Sequence, residues 1–230
     1  MFKRRGALVA GLVFVAVGLA QAASSTSCTT GSFGSYRTLG LCSVGTLDFY
    51  NFELYTLDPS NVATAADSTL LGNIILHPTW DGVTATMTVD GFTGFAVASG
   101  ATAAWRIRFT VDPPPIILDD DAALDPPFGE ILVTHSVCAD GGTSGGCATG
   151  VQTQQFGIGG NAHFTFTPAV SVLDVVTDIR LNPHFATTGI ASGFDGIVFA
   201  VGTTATPEPG TWMLLFPIAG VVLRNRLRRK

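Results

Sequence analysis

The run Trp105-Arg106-Ile107-Arg108-Phe109-Thr110-Val111-Asp112 alternates apolar and polar residues without a break. A period of two puts Trp105, Ile107, Phe109 and Val111 on one face and Arg106, Arg108, Thr110 and Asp112 on the other. That is a strand with one side in a core and the other in water. Pro113-Pro114-Pro115 stops it and forces an extended connector, because proline lacks the N–H that a sheet ladder needs. Upstream, residues 83–89 and 92–98 read as strands around an Asp90-Gly91 turn. Asp81-Gly82 joins the first of these to a strand over 70–80 that Pro78 interrupts. Residues 47–57 form an earlier strand that looks half-buried on both faces, ended by the turn Asp58-Pro59-Ser60-Asn61.

Downstream of the prolines, Asp119-Asp120-Asp121 and Asp125-Pro126-Pro127 read as a polar loop. Residues 130–138 and 151–158 read as strands flanking a glycine-rich excursion over 140–150. Further strands follow over 162–167, 170–181 and 194–201. Outside the two chain ends, no ten-residue stretch keeps an i, i+3, i+4 apolar stripe. Nine to eleven short strands with frequent turns therefore predict an all-β, antiparallel β-sandwich of jelly-roll type.

Both ends carry address-like signals. Lys3, Arg4 and Arg5 precede an apolar run over 7–20, and Ala20-Gln21-Ala22 is an A-x-A cleavage site, so residues 1–22 read as a signal peptide. This leaves an exported domain over 23–202 and a tail over 203–230. In that tail Pro207-Glu208-Pro209 precedes twelve uncharged residues (212–223), and Arg224, Arg226, Arg228, Arg229 and Lys230 end the chain. As a helix the uncharged run rises about 18 Å at ~1.5 Å per residue, short against a bilayer core of about 30 Å. The basic end favours a cytoplasmic C-terminus with the domain outside. The expected architecture thus adds a signal helix and a short hydrophobic helix to the sandwich.

The order Pro-Glu-Pro, apolar run, arginine-rich end resembles the PEP-CTERM sorting signal of Gram-negative bacteria. The resemblance implies processing by an exosortase after signal peptidase, transient anchoring in the inner membrane, and delivery to the cell surface or an exopolysaccharide matrix. It covers about a tenth of the chain. The segments C-T-T-G-S-F-G-S-Y (28–36), F-T-P-A-V-S-V-L-D-V-V-T-D-I-R (166–180) and F-D-G-I-V-F (194–199) also look like uncharacterised cargo domains of that family. They imply no known activity.

Between the signals, four basic residues (Arg37, Arg106, Arg108, Arg180) face sixteen acidic ones, a net charge of −12 where the whole chain carries −5. Such a surface repels phosphate backbones, which excludes nucleic acid as a partner. Cys28, Cys42, Cys138 and Cys147 are an even set in an exported chain, and their closeness in pairs favours Cys28–Cys42 and Cys138–Cys147 among three connectivities.

Candidate chemistry is sparse. Gly142-Thr143-Ser144-Gly145-Gly146 fits G-x-S-x-G, but a nucleophile elbow needs a strand before it and a helix after it, so a disulfide-clipped loop is the better reading. His77, His135, His163 and His184 are dispersed, with no zinc-type spacing. No catalytic residue is singled out, and a His–Asp–Ser triad could arise only across strands. Asp119, Asp120, Asp121 and Asp125, as oxygen ligands on a loop, are the candidate for Ca²⁺; no other cofactor is expected. Trp80, Trp105, Tyr36, Tyr50 and Tyr55 could offer rings for sugars to stack on. Trp105 is better explained by the core, and Trp80, at a hairpin tip, is the leading candidate. The function expected is an exported structural or adhesive component of the surface or matrix, with carbohydrate binding and then an unrecognised hydrolase as alternatives.

Overall fold

The structure, a computed structural model, describes residues 26–91, 97–98, 101–112, 117–139, 147, 150–182 and 191–203. Both terminal signals, with their two expected helices, lie outside these residues, as do most of the expected strand at 92–98 and Gly142–Gly146. In chain order the elements are β1 (Gly31–Ser32), α1 (Phe33–Leu39), β2 (Leu41–Val44), β3 (Leu47–Leu57), β4 (Ala63–Ala65), α2 (Ser68–Asn73), β5 (Ile75–Trp80) and β6 (Thr84–Asp90). There follow β7 (Ala103–Asp112), β8 (Ile117–Phe128), β9 (Ile131–Ala139), β10 (Gln152–Phe156), β11 (Asn161–Val170), β12 (Leu173–Leu181) and β13 (Gly193–Thr203). No described helix is long and apolar enough to cross a membrane.

Two antiparallel sheets face each other, in strand orders β1-β5-β6-β13-β8-β11 and β10-β9-β12-β7-β3-β2, with β4 added to β3. The connectivity is that of a folded ribbon. β6 pairs with β13, β7 with β12, β8 with β11, and β9 with β10. The ribbon then wraps on itself, so that β13 also meets β8 and β12 also meets β9. This is a jelly roll, widened by β5 and β1 in one sheet and by β3, β2 and β4 in the other.

The core lies between the sheets. Trp105, Ile107, Phe109 and Val111 of β7 all point into it, as their alternation requires. The Phe109 ring meets those of Phe49, Phe52 and Phe199 at centroid distances of 5.9, 6.2 and 5.1 Å. Both expected disulfides are present, with Cα atoms 4.9 Å apart in Cys28–Cys42 and 5.7 Å apart in Cys138–Cys147.

Several sequence expectations are corrected. The polar loop around Asp119–Asp121 is instead part of β8, whose partners β13 and β11 pair along residues 119–123. Two short helices are present, α1 ahead of the first expected strand and α2 over the start of the strand expected at 70–80. Ser32 caps α1 through Ser35 N–H, and Asp67 caps α2 through Leu70 N–H. At seven and six residues they are too short to show a periodic stripe. The two-faced look of β3 comes from a register shift between Tyr50 and Glu53, where Asn51 adopts a φ of 57°. Phe49 faces the core before that bulge and Phe52 after it.

Candidate functional site

Three clusters of polar side chains stand on this scaffold, and burial separates them. The first is sealed between the sheets. His135, on β9, sits in the apolar row Ile131, Val133, Val137 and points inward. Its Nε2 lies 2.6 Å from Asp120 Oδ2 on β8 of the opposite sheet, and its Nδ1 lies 2.7 Å from Thr177 Oγ1 on β12. All three residues have zero exposure, and the rings of Phe164 and Phe199 flank the imidazole. Burial pushes the Asp120 carboxyl up from its ordinary range, His135 offsetting part of this, and Asp120 Oδ1 has no hydrogen-bond partner. A Thr–His–Asp chain has the order of a catalytic triad, yet a hydroxyl with no exposed surface meets no substrate. Its place makes it a polar bolt between the sheets.

The second cluster is the outer side of β8. Strand alternation sends Asp119 and Asp121 outward while Asp120 points in, and Asp125 is exposed further along. The Asp119 carboxylate lies over Gly202, where a Cβ would come within 2.1 Å of its oxygen. Asp121 Oδ1 instead meets His163 Nδ1 at 2.8 Å. The four aspartates proposed for Ca²⁺ therefore diverge. No group of three metal-capable side chains gathers among the described residues.

The third cluster covers the outer face of the seven-stranded sheet. Cross-strand register lays its outward residues in rows. Tyr50, Thr110, Asp174 and Cys138 form one row, and Glu53, Arg108, Val176, Ser136 and Thr153 the next. Tyr55, Arg106, Asp178, Thr134 and Gln155 form the third. Arg106 donates Nε–H and Nη2–H to the two oxygens of Asp178, at 2.7 and 2.8 Å. Arg108 donates to Asp174 at 3.0 Å and to Glu53 at 3.3 Å. Burial, followed by the Asp112 and Asp174 charges, raises the Tyr50 phenol; burial and a bond to Glu53 raise that of Tyr55. Both therefore stay protonated at neutral pH.

Over the second and third rows lies a hollow of about 390 Å³, walled by Ala63 of β4 on one side and Val151 on the other. Its floor is mixed: Arg106 and Arg108 with the Glu53 carboxylate, the Ser136 hydroxyl, and Val176 as an apolar spot beside Tyr55. A second hollow of about 280 Å³ lies farther along the same two strands, at Ala104 and Arg180, beside Leu57 and Pro59.

Among the aromatic candidates, Tyr50 and Tyr55 reach this face and the other three do not. Trp105 is in the core. Tyr36 is buried with its hydroxyl donated to the Thr29 carbonyl at 2.7 Å, and burial pushes its phenol up to about 12. Trp80 does not stand free at a hairpin tip. Its indole packs on the β2–β3 turn, where a Cβ at Gly45 would fall 2.2 Å from the ring. His77 pairs with Asp90 at 3.3 Å, and His184 and Gly142–Gly146 lie outside the described residues. Sequence reasoning passed over Glu53, Asp174 and Asp178 because each is a single acid in a different strand; only sheet register assembles them. His135 did leave a signal, as the lone polar residue on an apolar alternation.

No family model and no curated protein matches this chain. Among solved structures, the carbohydrate-binding module TmCBM61 in complex with beta-1,4-galactotriose is similar at a TM-score of 0.31 and 9% identity, covering 49% of this chain and 69% of that one. The enzymatically active domain of tailspike protein 4 from bacteriophage CBA120 is similar at a TM-score of 0.29 and 12% identity, covering 66% and 19%. Likeness at this level assigns neither ligand nor activity, and the face has to be read from its own residues.

Proposed function

We propose that this chain is an exported protein of the cell surface or exopolysaccharide matrix, and that it holds glycan on the outer face of its seven-stranded sheet. The supporting observation is the hollow over β7 and β12, where the Ser136 hydroxyl, the Glu53 carboxylate, two guanidinium groups and the Tyr55 phenol surround the apolar Val176. Sugars present that same mixture of hydroxyl edges and C–H faces, and sites of a few hundred cubic ångströms suit them. Export is supported by residues 1–22 and by the Pro207-Glu208-Pro209 tail with its arginine-rich end, through which exosortase would sort the chain. Two disulfides suit an oxidising compartment. The reading assigns no catalysis to the chain itself.

Glycan-array binding by the purified chain tests the proposal, with Tyr55→Ala as the control. Binding should fall by about tenfold, as for the loss of ~1.4 kcal/mol, while the melting temperature stays within a few degrees. No bound glycan, or binding indifferent to Tyr55, overturns it. Removal of residues 207–230 should move the protein from surface to medium without unfolding it, and unchanged localisation counts against the sorting role.

A further inference from the structure

Resting on that glycan reading, we infer a ligand class: a neutral polysaccharide laid along β7 and β12 across both hollows, and not a uronate or sulfated polymer. The argument starts from charge. In the larger hollow each cation already has its carboxylate. Arg106 is held in two hydrogen bonds by Asp178, and Arg108 is shared between Asp174 and Glu53. Glu53 lines the hollow beside the two guanidinium groups, with Asp174 and Asp178 bonded to them from behind. Three carboxylates against two cations leave its surroundings slightly negative, within a domain of strongly negative net charge. Over the larger hollow an anionic sugar would meet an acid beside every base and find no unpaired cation to neutralise it, an arrangement that rejects like-charged partners. In the smaller hollow Arg180 is bonded to the Asn61 side chain, and its charge is matched by the Asp58 carboxylate in the same lining. A neutral sugar has no such conflict. Glu53 lone pairs not used by Arg108 accept its hydroxyls, Ser136 and Tyr55 can donate to or accept from them, and Val176 offers an apolar contact for a ring face.

Length follows from register. Ala104, Arg106 and Arg108 succeed one another outward on β7, and Arg180, Asp178 and Val176 run alongside on β12. Rows two residues apart are about 7 Å apart along a strand. The larger hollow lies over the Arg108 and Arg106 rows, and the smaller over the Ala104–Arg180 row. The Arg106–Asp178 pair is thus the ridge between two successive subsites, more than one monosaccharide fills.

The test is native affinity electrophoresis of the full chain in mild detergent, through gels containing galactan, xyloglucan or dextran on one side and alginate, polygalacturonate or heparin on the other. Retardation by a neutral polymer and by none of the anionic ones is the expected result. Glu53→Lys, at a partly exposed site, should weaken that retardation by about tenfold, a change of ~1.4 kcal/mol. Hexasaccharides of the retarding polymer should compete about tenfold better than disaccharides. Retardation by an anionic polymer overturns the ligand class while leaving the glycan reading intact, and equal competition by both lengths overturns the two-subsite claim. Retardation by no polymer fails the glycan reading itself.

Discussion

Of the three successive aspartates on β8, Asp120 alone enters the core, and its environment makes a testable demand on pH. Its carboxyl is pushed up by burial, so the core prefers the protonated form. A raised acid contributes stability that is complete below its unfolded value near 4 and is lost as pH rises through the raised one. Asp120→Asn keeps a hydrogen-bonding partner for His135 but cannot ionise. Its melting temperature should therefore change less between pH 4 and 7 than that of the natural protein, and parallel profiles would show that the carboxyl does not titrate there. His135→Ala should cost about 2–5 kcal/mol in urea unfolding, because it leaves a cavity and strips Asp120 and Thr177 of their buried hydrogen-bond partner. Half of this bolt was legible in the sequence. His135 interrupts an apolar alternation, whereas Asp120 is hidden in an acid run that reads as solvated, because nothing local says that residue 119 and residue 120 look to opposite sides.

The elements were legible where alternation is long, as in β7, and obscure where a local device overrides it. At the β2–β3 turn, Gly45 has a φ of 62° and lies against the Trp80 indole. Gly40, the cap of α1, also has a positive φ, 80°, but faces open space. The pair separates backbone strain from packing. Gly40→Ala should cost about 1–2 kcal/mol, the strain of a left-handed conformation with a Cβ. Gly45→Ala adds a ring clash of about 1–3 kcal/mol more. Urea midpoints of the two variants measure the difference, and equal midpoints would show that Trp80 does not rest on the turn. Strand edges are managed in the same local way. On β10, Gln154 accepts the His163 N–H at 3.0 Å and donates to the His163 carbonyl at 2.6 Å, covering backbone groups on the edge of β11. Edge groups left open invite pairing with another chain.

At the scale of the molecule the two disulfides look equivalent but hold different things. Cys28–Cys42 ties the lead-in to β2, on the far edge of the seven-stranded sheet. Cys138–Cys147 closes the excursion between β9 and β10, beside Asp174 in its row and just before Val151, a wall of the larger hollow. The closed loops span 14 and 9 residues, and loop-closure entropy assigns each about 2–3 kcal/mol. Replacing either pair by alanines should therefore lower the melting temperature by a similar amount. Their effects on ligand should part. Losing Cys138–Cys147 frees the wall at Val151 and uncovers Asp174, which holds Arg108 from one side, so the binding face loses its fixed shape. Losing Cys28–Cys42 leaves that face untouched. Melting curves and affinity electrophoresis of the two double variants check this together: equal losses of stability, with polysaccharide retardation weakened only by Cys138→Ala with Cys147→Ala. Retardation that survives this variant unchanged would place the glycan elsewhere on the sandwich, away from the excursion that the second disulfide holds.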